Sequence, residues 1–251
     1  MTHVLALRPL LLCLAAALWG SCLSAATTRV AVAANFTEPA RDIAAAFARA
    51  TGHRAVLSFG SSGSFYAQMR QGAPFDLFLS ADADRPKQAE RDGLTVPGSR
   101  FTYAVGRLVL YSADPKLVDP RGAVLNRGNF DKLAIADPAT APYGSAALQT
   151  LNKLGVYPAI APKIVKGTSI GQAYDFVATR AAPLGFVALS QVITRPGGSR
   201  WVVPQGLHAP IEQQAVELKV ATGNPAAAAF LQYLRSPAAR AIIRRYGYQT
   251  R

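Results

Sequence analysis

The chain has 251 residues, half of them hydrophobic, and 27 Lys and Arg against 14 Asp and Glu give it a formal charge of +13. That much apolar material predicts a packed globule, as one large domain or two lobes with their own cores. The basic residues are spread along the chain with no long run and no interleaved aromatics, which argues against a nucleic-acid groove; the surplus reads as a solvated surface that steers anions inward.

Residues 1–26 have the form of a secretory signal peptide. Arg8 supplies the positive start, residues 10–19 an apolar core, and Ser24, Ala25 and Ala26 the small residues of a cleavage site. The core is well short of the roughly 20 residues that a membrane span needs. The mature chain is therefore expected to be soluble and periplasmic. Both cysteines, Cys13 and Cys22, fall in the segment to be removed, which leaves no disulfide framework. A lipid anchor on Cys22 is the rival reading, weakened by Trp19 where a lipoprotein signal carries a small aliphatic residue.

The mature chain then alternates short apolar runs with helical spacing. Strand 29–33 leads to helix 37–49, with Thr37 as candidate N-cap, Pro39 in the first turn and Ile43 and Phe47 on one face; Gly52 ends it. Strand 55–59, a Ser/Gly turn, helix 64–71, strand 76–79 and a charged helix 85–91 follow. This order is the signature of a doubly wound parallel sheet, whose ligands bind at the carboxyl ends of the strands. A second set comprises strands 108–111 and 133–136, helix 145–154, strand 163–165, helix 169–179 and strands 185–189 and 201–203. After the Pro/Gly-rich link 204–210 come strand 215–220 and helices 225–234 and 237–246. The chain thus reads as two α/β lobes.

The candidate site lies just past the strand ends. In SFGSSGSFYAQMRQGAPFDLFLSAD, residues 58–82, Gly60 and Gly63 allow close backbone approach, and Ser61, Ser62 and Ser64 set hydroxyls beside the first free N–H groups of a helix, a neutral cradle for an anion. The plain alternative is a loop with an N-cap. In Ala33-Ala34-Asn35-Phe36-Thr37, Asn35 follows a strand and precedes a helix, so its amide donors and the neighbouring N–H groups, Ala34 included, point where an anion would sit; an Asn cap is the alternative. Asn35 and Ser62 can face one crevice. In the loop 136–145, two prolines and Gly144 precede another helix start, and Tyr143 carries a phenolic donor. Ile170, at the start of helix 169–179, can act only through its backbone N–H.

These segments together resemble the periplasmic molybdate-binding proteins of ABC transporters. The resemblance rests on VAVAANFTEPARDIAAAF, the Ser-rich turn with GAPFDLFLSAD, ADPATAPYGSAAL, APLGFVALSQV and the closing YLRSPAARAIIRRYGY, and it spans nearly the whole mature chain. It implies a type II periplasmic-binding-protein fold, with a discontinuous first lobe of residues 27–105 plus 208–251, a second lobe of 106–207, and an oxyanion held between them. It further implies a monomer that captures molybdate, and tungstate, without a cofactor and delivers it to a membrane permease. The family's first polar ligand falls on Asn35, its serine donor on Ser62 with Ser61 beside it, and its second-lobe backbone donors on Tyr143 and Ile170. One position departs from the pattern: members with a tyrosine after the APLG motif use its hydroxyl, and this chain has Ala188, so the lost donor is expected to be replaced by Asn35, Tyr143 or both.

The chemistry of neutral donors suits such a ligand. Molybdate and tungstate are fully ionised at neutral pH, whereas hydrogen phosphate would bury a proton without an acceptor, at a cost of roughly 1 to 3 kcal/mol. Sulfate must be discriminated by cavity size. A catalytic or metal site is the rival from another class. His53 and His208 are the histidines left after signal removal, too few and too far apart for a metal triad. Asp76, Asp82 and Asp84 read as caps and solvated charges rather than as a cation site.

Overall fold

The computed structural model describes residues 25–250; the signal-peptide reading, from Arg8 through Cys22 and Ser24, lies almost wholly outside them. Ten strands form two five-stranded sheets. β1 (Thr27–Ala33), β2 (Arg54–Gly60), β3 (Leu77–Leu79), β4 (Phe101–Gly106) and β10 (Ile211–Glu217) make the first, in the order β2-β1-β3-β10-β4. β5 (Leu108–Ser112), β6 (Leu133–Ala136), β7 (Ile164–Gly167), β8 (Leu184–Ala188) and β9 (Ser199–Val202) make the second, in the order β7-β6-β8-β5-β9. The fold is two α/β lobes.

Neither sheet is wholly parallel. β1 runs parallel to β2 and β3, but β10 is antiparallel to β3 and β4, and β5 is antiparallel to β8 and β9. The reason is topological. Arg107 alone separates β4 from β5, so the chain passes straight from one sheet into the other, and it returns through residues 203–210 to enter the first sheet as β10. A strand arriving that way is not bound by the crossover rule that keeps βαβ strands parallel. Near the C-terminus, Val105 and Gln249 exchange backbone hydrogen bonds of 2.8 and 3.1 Å, which ties the tail to the first crossover.

Helices cover both faces of each sheet. In the first lobe these are α1 (Thr37–Thr51), α2 (Ser62–Arg70) and α3 (Asp84–Arg91). The second holds α4 (Val124–Arg127), α5 (Pro142–Lys153), α6 (Tyr157–Ile160), α7 (Ile170–Ala178) and α8 (Leu189–Val192). α9 (Pro225–Leu234) and α10 (Pro237–Arg245) return to the first. Strand alternation assigns the cores. Val30 and Val32 pack with Ile43 and Phe47 of α1 and Phe230 of α9, while Ala31 between them faces Phe65 and Met69 of α2. In the second lobe Leu184 and Phe186 pack with Ala147 and Leu151 of α5, and Val187 faces Val177 of α7.

Several starts differ from the sequence expectation. α2 begins at Ser62 rather than 64, because Ser61 is its N-cap and accepts a bond from the Ser64 N–H at 3.2 Å. α5 begins at Pro142 rather than 145, with proline in the first turn where its missing N–H costs nothing. Thr37 is not the cap of α1: it is the first helical residue, and its hydroxyl donates to the Ala34 carbonyl at 2.8 Å. That bond is formed across a 3₁₀ turn, Ala34–Phe36, inserted between β1 and α1.

Candidate anion-binding site

The carboxyl ends of β1 and β2 in one lobe and of β6 and β7 in the other each feed a helical start, and these starts meet. Ala34, Asn35, Ser61, Ser62, Tyr143 and Ile170 line one small cavity, completed by Ala33, Gly60, Ala81, Ala141 and Pro142. Ser62 and Ile170 are the first residues of α2 and α7, and Tyr143 is the second of α5. Their N–H groups precede the first intrahelical bond, and each helix end carries partial positive charge. No charged side chain lines the cavity. The cavity is small, about 10 Å³, far below the range of roughly 300 to 1,000 Å³ typical of organic ligands. The arrangement suits a small inorganic anion.

The two lobes are in contact around this space. The Gly63 N–H donates to the Thr140 carbonyl at 2.9 Å, and Arg85 Nη2 donates to the Ala139 carbonyl at 3.0 Å. A Cβ on Gly63 would lie 2.9 Å from both Cα and O of Thr140, so only glycine allows this approach. Arg85 also pairs with Asp82, which accepts from the Arg85 N–H in the first turn of α3 at 3.0 Å. Ser62 also braces the site from behind, since its Oγ accepts the Ala81 N–H at 2.9 Å, which leaves the hydroxyl proton free.

Asn35 and Tyr143 are engaged differently from expectation. Asn35 Nδ2 donates to Gln213 Oε1 at 2.8 Å and to the Tyr248 hydroxyl at 2.9 Å, and Asn35 Oδ1 is buried without a partner. The Tyr143 hydroxyl accepts from Gln213 Nε2 at 3.3 Å. The phenol therefore points into a network between the lobes, and Tyr143 offers the cavity its backbone. Ala188, at the position that carries tyrosine in the resembling pattern, is fully buried and donates its N–H to Gln191 Oε1 at 2.9 Å.

The network contains residues that sequence reasoning missed. Tyr103 donates to Gln213 Oε1 at 3.0 Å, while Tyr248 and Ser190 each lie 2.8 Å from the Asn35 carbonyl and 2.9 Å from each other. Burial pushes the Tyr248 phenol up to about 12, against hydrogen bonds from Ser190 and Asn35 that pull it down. Burial also pushes Tyr103 and Tyr143 well above the usual phenol range, with nearby Tyr248 adding to both. The whole network is neutral at physiological pH. A signal for Gln213 existed: three successive polar residues, Glu212-Gln213-Gln214, stand between apolar Ile211 and Ala215-Val216.

The acidic and histidine candidates lie apart. Asp76 accepts the Arg29 N–H at 2.6 Å, Asp82 accepts the Arg85 N–H at 3.0 Å, and His53 and His208 make separate bonds to the backbone at 3.1 and 2.7 Å. Among the described residues no group of three or more His, Cys, Asp or Glu could hold a metal ion. Nor is any described helix long and apolar enough to cross a membrane.

Two α/β lobes joined by two crossovers and enclosing a small ligand cavity define the class of two-lobed solute-binding proteins. Comparison with known proteins agrees with that class and narrows it. The family model for bacterial extracellular solute-binding proteins matches residues 28–249, and the chain belongs to that family. It is 59% identical over 220 residues to the molybdate-binding protein of Rhodobacter capsulatus, covering 88% of this chain and 87% of the relative. It is 53% identical over 245 residues to that of Azotobacter vinelandii, covering 96% and 97%. The solved periplasmic molybdate-binding protein of Azotobacter vinelandii superposes with a TM-score of 0.87 at 43% identity, covering 89% of this chain and 99% of that one.

Proposed function

We propose that this protein is a periplasmic receptor that captures molybdate, and also tungstate, as the ionised dianion and hands it to an ABC permease. The observation that carries the reading is the cavity of uncharged donors supplied from both lobes. The units that close on the anion are residues 27–105 plus 208–251 and residues 106–207, and the binding form is a monomer released after signal cleavage near residue 26. The donors are the N–H groups of Ala34, Asn35, Ser62, Tyr143 and Ile170, the Ser62 hydroxyl, and the Asn35 amide; Ser61 shapes the turn as the α2 cap. Six neutral donors, with the Asn35 amide as a seventh once its unpartnered Oδ1 is turned away, favour an anion without a proton, because a buried proton left unpaired costs about 1 to 3 kcal/mol. The protein binds its ligand without catalysis and without a cofactor. Neither remaining histidine lines the cavity, so its hydroxyls have no adjacent imidazole base.

Isothermal titration of the anion-stripped mature protein with molybdate, tungstate, sulfate and phosphate tests this reading. Tight binding of the first two alone is expected. Preference for sulfate or phosphate would reassign the ligand within the same fold.

A further inference from the structure

Asn35 lines the cavity, yet both N–H bonds of its side-chain amide are spent inside the protein, on Gln213 Oε1 at 2.8 Å and the Tyr248 hydroxyl at 2.9 Å. The atom without a partner is Oδ1, an acceptor, buried in a residue only 2% exposed. An oxyanion needs donors, so this orientation is the wrong one for it. We propose that Gln213 is a positioning residue for the cage: its amide and that of Asn35 turn over together, so that Asn35 presents N–H groups instead of Oδ1 to the bound oxyanion. The inference rests on the oxyanion reading above and deepens it.

The network has a second complete hydrogen-bonding pattern, and the hydroxyls around the two amides make it accessible. Turning Asn35 alone would set its Oδ1 against Gln213 Oε1, two acceptors at 2.8 Å. Turning Gln213 as well places Nε2 there, donating one proton to Asn35 Oδ1 and the other to the Tyr103 hydroxyl. Tyr103, no longer a donor to Gln213, keeps its bond to the Ser80 carbonyl at 3.2 Å. Gln213 Oε1 then faces Tyr143, whose hydroxyl switches from acceptor to donor across the same 3.3 Å. Tyr248 donates to the turned Oδ1, while Ser190 holds the Asn35 carbonyl at 2.8 Å. Every buried acceptor of the network is satisfied in this second pattern, including the one that has no partner in the first. What the second pattern leaves open is the pair of Asn35 N–H bonds, which only a ligand rich in acceptors fills.

Tyr143 and Ser190 belong to the second lobe, and Asn35, Tyr103, Gln213 and Tyr248 to the first. Reorientation of the amides is thus coupled to the contact between lobes.

Nuclear Overhauser contacts from the side-chain amide protons of Gln213, assigned by their loss in Gln213→Leu, test the proposal on the full-length mature protein. Without anion these protons should contact the Tyr143 ring, and on saturation with molybdate they should move to the Tyr103 ring. An unchanged pattern on saturation overturns it. As a second measurement, Gln213→Glu, whose carboxylate can only accept and so holds Asn35 Nδ2 inward, should lose at least tenfold in molybdate affinity, and Gln213→Leu clearly less. Equal losses would make Gln213 a packing residue and overturn the proposal. Molybdate, tungstate, sulfate and phosphate are titrated into the same sample first. Failure of all four refutes the oxyanion reading and this inference with it, whereas binding with fixed amides refutes this inference alone.

Discussion

Gly63→Ala should separate folding from ligand capture. Gly63 is the second residue of α2 and has backbone angles open to any residue, so alanine fits within the first lobe by itself and gains up to about 1 kcal/mol of helix propensity. Within that lobe the added Cβ meets only Arg85 Nε, 3.1 Å away on a flexible side chain that can give; the firm obstruction is the second lobe, where it would stand 2.9 Å from Cα and O of Thr140. Those are backbone atoms of a loop pinned by the Asp137 carbonyl, which accepts from the N–H groups of Thr140 and Ala141 at 3.2 and 2.9 Å. Relief must come from moving the lobes apart. The closed form then loses the Gly63 to Thr140 hydrogen bond, about 0.5 to 1.5 kcal/mol, and bears overpacking of about 1 to 3 kcal/mol. A closure penalty of about 1.5 to 4.5 kcal/mol raises Kd by about 10- to 1,600-fold, since each 1.4 kcal/mol is a factor of ten. Titration calorimetry with molybdate reads the loss, and the melting temperature of the anion-free variant should be unchanged or about 2 to 4 °C higher. A Kd within threefold of the parent would refute the reasoning, because it would mean that the ligand is held without this contact.

Other perturbations test neighbouring parts. Ser62→Ala should weaken molybdate binding by roughly 1 to 3 kcal/mol and also lower thermal stability, because the Ala81 N–H loses its acceptor; loss of binding with no change in melting would contradict the dual role. Arg85→Ala removes a partly exposed bond to Ala139 and should cost no more than about 1 kcal/mol in affinity, so a hundredfold loss by titration would place Arg85 in the cage itself. Alkaline pH should unfold the protein through its phenols. Tyr248 is raised from near 10 to about 12 in the fold, so its contribution is fully present below pH 10 and is lost as pH rises from 10 to 12, a loss of about 3 kcal/mol that chemical denaturation across that window measures. Tyr248→Phe should flatten that profile.

Much of the fold was legible because local signals coincided with tertiary ones. Strand 133–136 and helix 225–234 match the expected bounds, since each is an apolar segment bracketed by strong punctuation. β4 escaped because residues 101–112 form one long apolar run in which the break is a single residue, Arg107, and a crossover between lobes leaves no turn signature. The antiparallel β10 was equally hidden, since strand direction is set by how the chain returns and not by its own residues. For the site, helix starts were readable from Ser, Gly and Pro, and these bring Asn35, Ser62, Tyr143 and Ile170 to one cavity. What could not be read was side-chain allegiance. Asn35 and Tyr143 carry polar groups, but Gln213, 178 and 70 positions away, engages both, accepting from Asn35 Nδ2 and donating to the Tyr143 hydroxyl.

A cage without charge has a consequence for how affinity builds. A lysine or arginine in one lobe would hold a dianion by itself, since two charges 4 Å apart are worth about 4 kcal/mol even at the moderate dielectric of a protein surface. Such a site would retain its ligand open and accept anions with little regard for shape. Single helix ends contribute only about 0.3 to 2 kcal/mol each and act within a turn, so the starts of α2, α5 and α7 reinforce one another only when the lobes meet. No basic side chain lines the cavity, and Arg85, at the nearby lobe contact, is paired with Asp82. On the proposed function, attraction and selection are divided: the basic surface would draw anions without discrimination, and only an ion that satisfies donors from both lobes at once would hold the molecule closed.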